Sequence, residues 1–109
     1  MKRLPKSFGS PVELSLELLG GKWKPAILAR LKDGPLRYRD LRQQIPRLSD
    51  KVLSERLAEL CEQGLVLRKN GGRESSYRLS SRGKSLEPVL QSLYEWGQVQ
   101  APDLKVIFR

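Results

Sequence analysis

Apolar residues recur at helical spacing through most of the chain, and glycine- or proline-marked breaks divide that pattern into segments. From Pro11 onward, Leu14 and Leu18, with Leu16 and Leu19, follow a period near 3.6. Pro11 suits a first helical position, where a missing N–H costs nothing, and Gly20-Gly21 ends the helix. Trp23, Ile27, Leu28 and Leu31 share a face and predict a second helix from Trp23 to Lys32, stopped by Asp33-Gly34-Pro35. Leu36-Arg37 reads as a short extended stretch. A helix of about two turns follows, with Tyr38, Leu41 and Ile45 on one face and Pro46 as its stop. Ser49 is a good N-cap for a helix over 49–63, in which Leu53, Leu57 and Leu60 repeat at i, i+4, i+7 before Gly64. Leu65 to Ser80 predicts a β-hairpin: two β-compatible runs flank the turn Asn70-Gly71-Gly72. A last helix is predicted from Ser81 to Gln98, where Leu86, Val89, Leu90, Leu93, Tyr94 and Trp96 spread over more than half the circumference. That band is too wide for one small core.

Organisation follows from these segments. Residues 1–10, rich in Lys, Arg, Ser, Gly and Pro, read as a flexible basic arm, 11–98 as the folded domain, and 99–109 as a short tail carrying Leu104, Val106, Ile107 and Phe108. With 109 residues there is room for one domain and one core, not for a two-domain enzyme. Lys and Arg number 21 against 12 Asp and Glu, a net charge of +9, which points to a polyanionic partner and to nucleic acid first. The absence of histidine excludes the usual triads and zinc hydrolases, and a single cysteine excludes an internal disulfide or an all-thiolate zinc site. No metal and no cofactor are expected. No apolar run of 18 or more residues is present, so the expected location is cytoplasmic and nucleoid-associated, away from membranes.

The element order of helix, helix, short strand, short helix, turn, longer helix, basic hairpin and long helix is that of a winged helix-turn-helix, a mainly α fold with a small β-hairpin. An α-helix fits the major groove, and an adjoining hairpin can lay cations along the flanking backbone or minor groove. With Leu53, Leu57 and Leu60 buried, the 3.6 period turns Lys51, Ser54, Glu55 and Ala58 outward and sets Val52 and Arg56 on the flanks. Lys51 and Arg56 suit guanine edges or phosphates, Ser49 and Ser54 phosphate or either kind of base edge, and Glu55 cytosine N4. Within Leu65 to Lys84, Arg68, Lys69, Arg73, Arg78, Arg82 and Lys84 face Glu74 alone. The DNA-binding set read from the chain is therefore Arg39, Ser49, Lys51, Val52, Ser54, Glu55, Arg56, Arg68, Lys69 and Arg73, with double-stranded DNA as partner. A basic exposed helix face is often only solvated, and for Arg37, Arg39 and Arg42 solubility weighs as much as phosphate contact. Trp23, Trp96 and Tyr38 read as packing residues rather than stacking platforms. Two other readings compete: a winged-helix protein-interaction module that uses the apolar band, and a non-specific architectural DNA binder. An enzyme is not expected, because nothing pairs a nucleophile with a base or cradles phosphate.

Gly20-Gly21-Lys22-Trp23-Lys24, Gly34-Pro35-Leu36-Arg37-Tyr38-Arg39-Asp40-Leu41 and Leu53-Ser54-Glu55-Arg56-Leu57-Ala58-Glu59-Leu60 occur in order, followed by Gly64-Leu65-Val66, Tyr77-Arg78-Leu79, Gly83 and Trp96-Gly97. In these residues, across about 10–98, the chain resembles the HxlR family of winged-helix transcriptional regulators, relatives of the MarR group. The resemblance implies a homodimer joined through its first and last helices, here Leu14, Leu18, Leu86, Val89, Leu90, Leu93, Tyr94 and Trp96. It also implies a pseudo-palindromic operator, with 49–63 as reading helix, 66–79 as wing, and action as a repressor or activator of nearby genes. Apolar space at such an interface would admit a small-molecule effector, which no residue identifies. Oxidant-sensing members carry a cysteine before the Pro-Val near the first helix. This chain has Ser10 there, so that mode of sensing is not expected, and Cys61 reads as a small core hydrophobe. The wing between Leu67 and Tyr77 is shorter than is usual in the family and lacks its proline.

Overall fold

A computed structural model describes residues 4–5 and 7–108 of the chain. Residues 1–3 and 6 of the expected arm, and Arg109 of the tail, lie outside the described residues.

Helix α1 spans Pro11–Leu19. Ser10 accepts a hydrogen bond from the Glu13 N–H, while the Glu13 carboxylate accepts one from the Gly9 N–H at 2.6 Å. The Ser10 cap satisfies one of the helix's first N–H groups and marks where it begins. Helix α2, Lys24–Arg30, is shorter than the 23–32 expected from periodicity. Trp23 has φ 88°, a left-handed conformation that cannot continue a helix, so α2 starts after it, with Pro25 in its first turn. After β1 (Leu36–Arg37) come α3 (Tyr38–Gln44) and α4 (Asp50–Glu62), the latter capped by Ser49. Strands β2 (Val66–Lys69) and β3 (Ser76–Leu79) flank a 3-10 turn at Gly72–Glu74 and form the expected hairpin.

Two features depart from the sequence reading. The hairpin is part of a three-stranded antiparallel sheet of order β1-β3-β2, in which Leu36 pairs with Tyr77 and Arg37 with Ser76. The long terminal helix is broken into α5 (Ser81–Lys84) and α6 (Glu87–Gln100). Pro88 explains the break, because its nitrogen cannot donate to the Lys84 carbonyl and its ring crowds that turn. Helix α6 also runs two residues past the expected Gln98, and Ala101 after it is buried.

The core gathers Ile27, Leu28 and Leu31 of α2 and its end, Leu41 and Ile45 around α3, and Leu53, Leu57 and Leu60 of α4, closed by Leu65, Val66, Tyr77 and Leu79 of the hairpin. Helix α1 contributes only Leu19, and α6 has no fully buried residue. The radius of gyration, 14.7 Å, exceeds the about 13 Å typical of a compact chain near this length. The excess fits two helices with little of their surface covered. No helix among the described residues is long and apolar enough to cross a membrane.

Gly83 is where α5 meets the start of the hairpin. A Cβ there would stand 2.1 Å from the Leu65 carbonyl oxygen, which is backbone and cannot swing aside. Gly83→Ala is expected to destabilise the fold by about 2 kcal/mol, the scale of overpacking, and to lower Tm by roughly 10 °C. A Tm within 2 °C of the parent would contradict this packing.

Candidate nucleic-acid interface

Helix α4 is held against the body by polar contacts at both ends. In its first turn, Asp50 Oδ1 accepts from Arg42 Nε at 2.8 Å and from the Tyr38 hydroxyl at 3.0 Å, and the Arg42 Nη1 donates to the Leu48 carbonyl. The Tyr38 oxygen lies 3.2 Å from Ser54 Oγ, so Ser54 can donate to it while Tyr38 donates to Asp50. Burial, together with the Asp50 carboxylate beside it, pushes the Tyr38 phenol above its ordinary pKa and keeps it a donor at neutral pH. Further along, Glu59 Oε2 lies 2.9 Å from Lys24 Nζ of α2, and Glu59 Oε1 accepts from Arg56 Nη1. Lys24 also donates to Gln63 Oε1 at 3.4 Å. These clamps fix the turn between α3 and α4 and the rotation of α4 about its own axis.

That rotation decides which expected residues face outward. Lys51, Ser54 and Glu55 are exposed on the side opposite the leucine stripe. Ser49 is exposed and its oxygen caps Val52 N–H at 3.2 Å. Val52 is half-buried and packs on the core, so it supports the helix rather than reading. Arg56 is half-buried and engaged by Glu59. On α3, Arg39 is exposed. In the hairpin, Arg68 is exposed, donates to Ser75 Oγ at 3.1 Å and lies 6.0 Å from the ring centre of its cross-strand neighbour Tyr77, contacts that hold it along the sheet. Lys69 is exposed, and the Arg73 side chain lies outside the described residues. Arg37 is paired to Glu74 at 2.8 Å. Among the described residues, no ion pair engages Arg39, Lys51, Lys69 or Arg78.

Helix α4 and the wing share one open cleft of ≈ 720 Å³, bounded by Tyr38, Ser54 and Ala58 on one side and Arg68, Ser75 and Tyr77 on the other. Ser54 and Arg68, far apart in sequence, thus line a common concavity. Cys61 lines it too. Burial raises its thiol pKa despite Arg68 nearby, which leaves it protonated and suits a packing role.

The residues expected at a dimer interface divide into two groups. Leu86 and Leu90 are half-buried and pack against the chain's own core. Val89, Leu93, Tyr94 and Trp96 remain exposed, Leu93 by 53% and Trp96 by 67%, as does Leu14, while Leu18 is half-buried. Val12, Leu16 and Val99, absent from the expected set, are equally uncovered. Trp96 therefore has no place in the core of the single chain. Sequence reasoning also missed Lys24, Arg42 and Asp50, whose ion pairs set the helix.

Burial raises and the Lys24 and Arg56 cations lower the Glu59 pKa, and the cations prevail, leaving it below its ordinary value. Glu59 therefore stabilises the fold fully above the ordinary glutamate pKa, and this contribution fades as pH falls through the depressed folded value. The unfolding free energy of the parent is expected to fall more steeply than that of Glu59→Gln from about pH 5 downward. Equal slopes in urea titrations would contradict the pairing.

Comparison with known proteins matches the HxlR-like helix-turn-helix family model to residues 18–105. A protein of Bacillus subtilis (strain 168), described as the uncharacterized HTH-type transcriptional regulator YdzF, is 38% identical over 104 residues, covering 92% of this chain and 95% of that one. The structure of the redox regulator HypR in its reduced form superposes with TM-score 0.82 at 32% identity, covering 88% of this chain and 98% of that chain. A transcriptional regulator of the MarR family from Porphyromonas gingivalis W83 superposes with TM-score 0.79 at 27% identity, covering 88% and 97%.

Proposed function

The chain belongs to the HxlR-like helix-turn-helix family, DNA-binding transcriptional regulators rather than enzymes, and on that premise we propose that it acts as a homodimer on a pseudo-palindromic operator. The observation that carries this reading is the outward face of α4: Lys51, Ser54 and Glu55 are exposed on a helix that shares a cleft with the wing. The first turns of α4 enter the major groove, where Lys51 and Ser54 bond to base edges or phosphate and Glu55 accepts from cytosine N4. Glu55 also repels phosphate, which favours discrimination over bulk affinity. Arg39, Ser49 and the wing residues Lys69 and Arg73 hold the flanking backbone, with Arg68 shaping the wing. Residues 11–100 carry this activity, with 1–10 as a basic arm and the residues that follow α6 as a tail, and the protein works in the cytoplasm on nucleoid DNA.

Dimerisation supplies the second reading helix. A two-fold pair sets two such helices about 34–36 Å apart, one turn of B-DNA. The uncovered residues of α1 and α6, above all Leu14, Val89, Leu93, Tyr94 and Trp96, form the surface that a second copy covers.

Selection from a randomised duplex pool, followed by anisotropy titration at about 150 mM salt against a shuffled duplex, tests this function. The parent is expected to prefer the selected duplex by about 10³-fold or more. Lys51→Ala should lower that preference by about tenfold, the scale of one base contact. Sedimentation should give twice the 12.4 kDa chain mass, and Leu93→Asp should shift it to the monomer and abolish the preference. A discriminating monomer would contradict the dimer; equal affinity for both duplexes would favour architectural binding, and no binding an interaction module.

A further inference from the structure

We propose that Glu59 is a specificity-determining positioning residue, which fixes the Arg56 guanidinium on the reading helix in its DNA-ready geometry. This inference rests on α4 being the reading helix. Glu59 divides its two oxygens between two cations: Oε2 to Lys24 on α2 at 2.9 Å, Oε1 to Arg56 one turn back on α4. An exposed i, i+3 pair would hold Arg56 weakly, because both side chains would be free to move. Here the carboxylate is itself anchored. The Lys24 side chain is only 4% exposed, and a cation removed so far from water requires an anion, so Glu59 cannot leave without stranding it. Gln63 Oε1, 3.4 Å from the same ammonium, completes the anchor.

The anchor has two effects on Arg56. Its side chain, 28% exposed, is held by Glu59 through Nη1, which leaves the other donors of the fork for a further partner. Lys24, Glu59 and Arg56 together carry one net positive charge, so the carboxylate orients Arg56 without cancelling its attraction for DNA. A pinned arginine loses less freedom when it binds, and it rejects base steps whose acceptors lie off its fixed axis. Discrimination therefore rises more than affinity.

The test is a double-mutant cycle between Glu59→Gln and Arg56→Ala. Each protein is titrated against the duplex that the parent selects from a random pool and against a shuffled duplex, with circular dichroism confirming the fold. Glu59→Gln is expected to lower the selected-to-shuffled affinity ratio three- to tenfold, with affinity for the shuffled duplex held or raised. In the Arg56→Ala background the same substitution should leave the ratio unchanged. A merely structural role for Glu59 would weaken both duplexes by one factor and leave the parental ratio intact, which overturns the proposal, as does an equal effect of Glu59→Gln with and without Arg56. Where the stranded Lys24 charge prevents folding, Lys24→Met with Glu59→Gln removes both charges and should show the same fall in ratio; an unchanged ratio overturns the proposal. A parent that enriches no sequence would overturn the functional reading along with this one, whereas a discriminating parent with an additive cycle overturns this one alone.

Discussion

Burial of Leu53, Leu57 and Leu60 determines the rest of the molecule. These three side chains are buried against α2, α3 and the hairpin, and a helix with one stripe committed to the core has its opposite face committed to water. The rotation of α4, the outward placement of Lys51, Ser54 and Glu55, and the seating of the wing beside them follow from that burial. The ion pairs Arg42–Asp50 and Lys24–Glu59 act at opposite ends of the helix and give it one angle.

The positive charge of the chain divides in the same way. A net charge of +9 describes attraction to DNA at long range, but several cations are engaged within the fold: Lys24 and Arg56 on Glu59, Arg42 on Asp50, Arg37 on Glu74, and Arg68 on Ser75 and Tyr77. These set positions, and Arg56 is proposed to reach DNA as well through its remaining donors. Arg39, Lys51, Lys69 and Arg78, which no ion pair engages among the described residues, are available to bind. Basic residues that look alike in composition thus have different duties, and the difference is decided by which partner groups the fold brings to each.

Features with a local physical cause were legible in the chain. The N-cap at Ser49, the leucine stripe of α4 and the turn at Asn70-Gly71-Gly72 each depend on neighbours a few residues away, and each lies where the pattern places it. Ser10 with Glu13 is also a local signature that residue types alone could have revealed. Pro88 was equally visible, yet the continuous apolar band around it masked the break. The pairing of β1 with β3 was not legible, because two residues carry no alternation and the partner lies about 40 positions away. Nor was the burial of Lys24: a lysine beside Trp23 and Pro25 reads as surface, and only the arrival of Glu59 from another helix makes its burial affordable. The outward placement of Lys51, Ser54 and Glu55 follows from helical period, whereas the engagement of Arg56 by Glu59 and of Arg68 by Ser75 and Tyr77 depends on side-chain contacts that the period does not show.

Amide chemical shifts of the labelled protein, followed while a duplex selected from a random pool is added, test residue by residue whether the outward face of α4, together with the wing, meets DNA. The largest changes are expected at Lys51, Ser54, Glu55 and the hairpin from Arg68 to Arg78, with the exposed faces of α1 and α6 little affected. Changes concentrated on α1 and α6, with α4 silent, would contradict it.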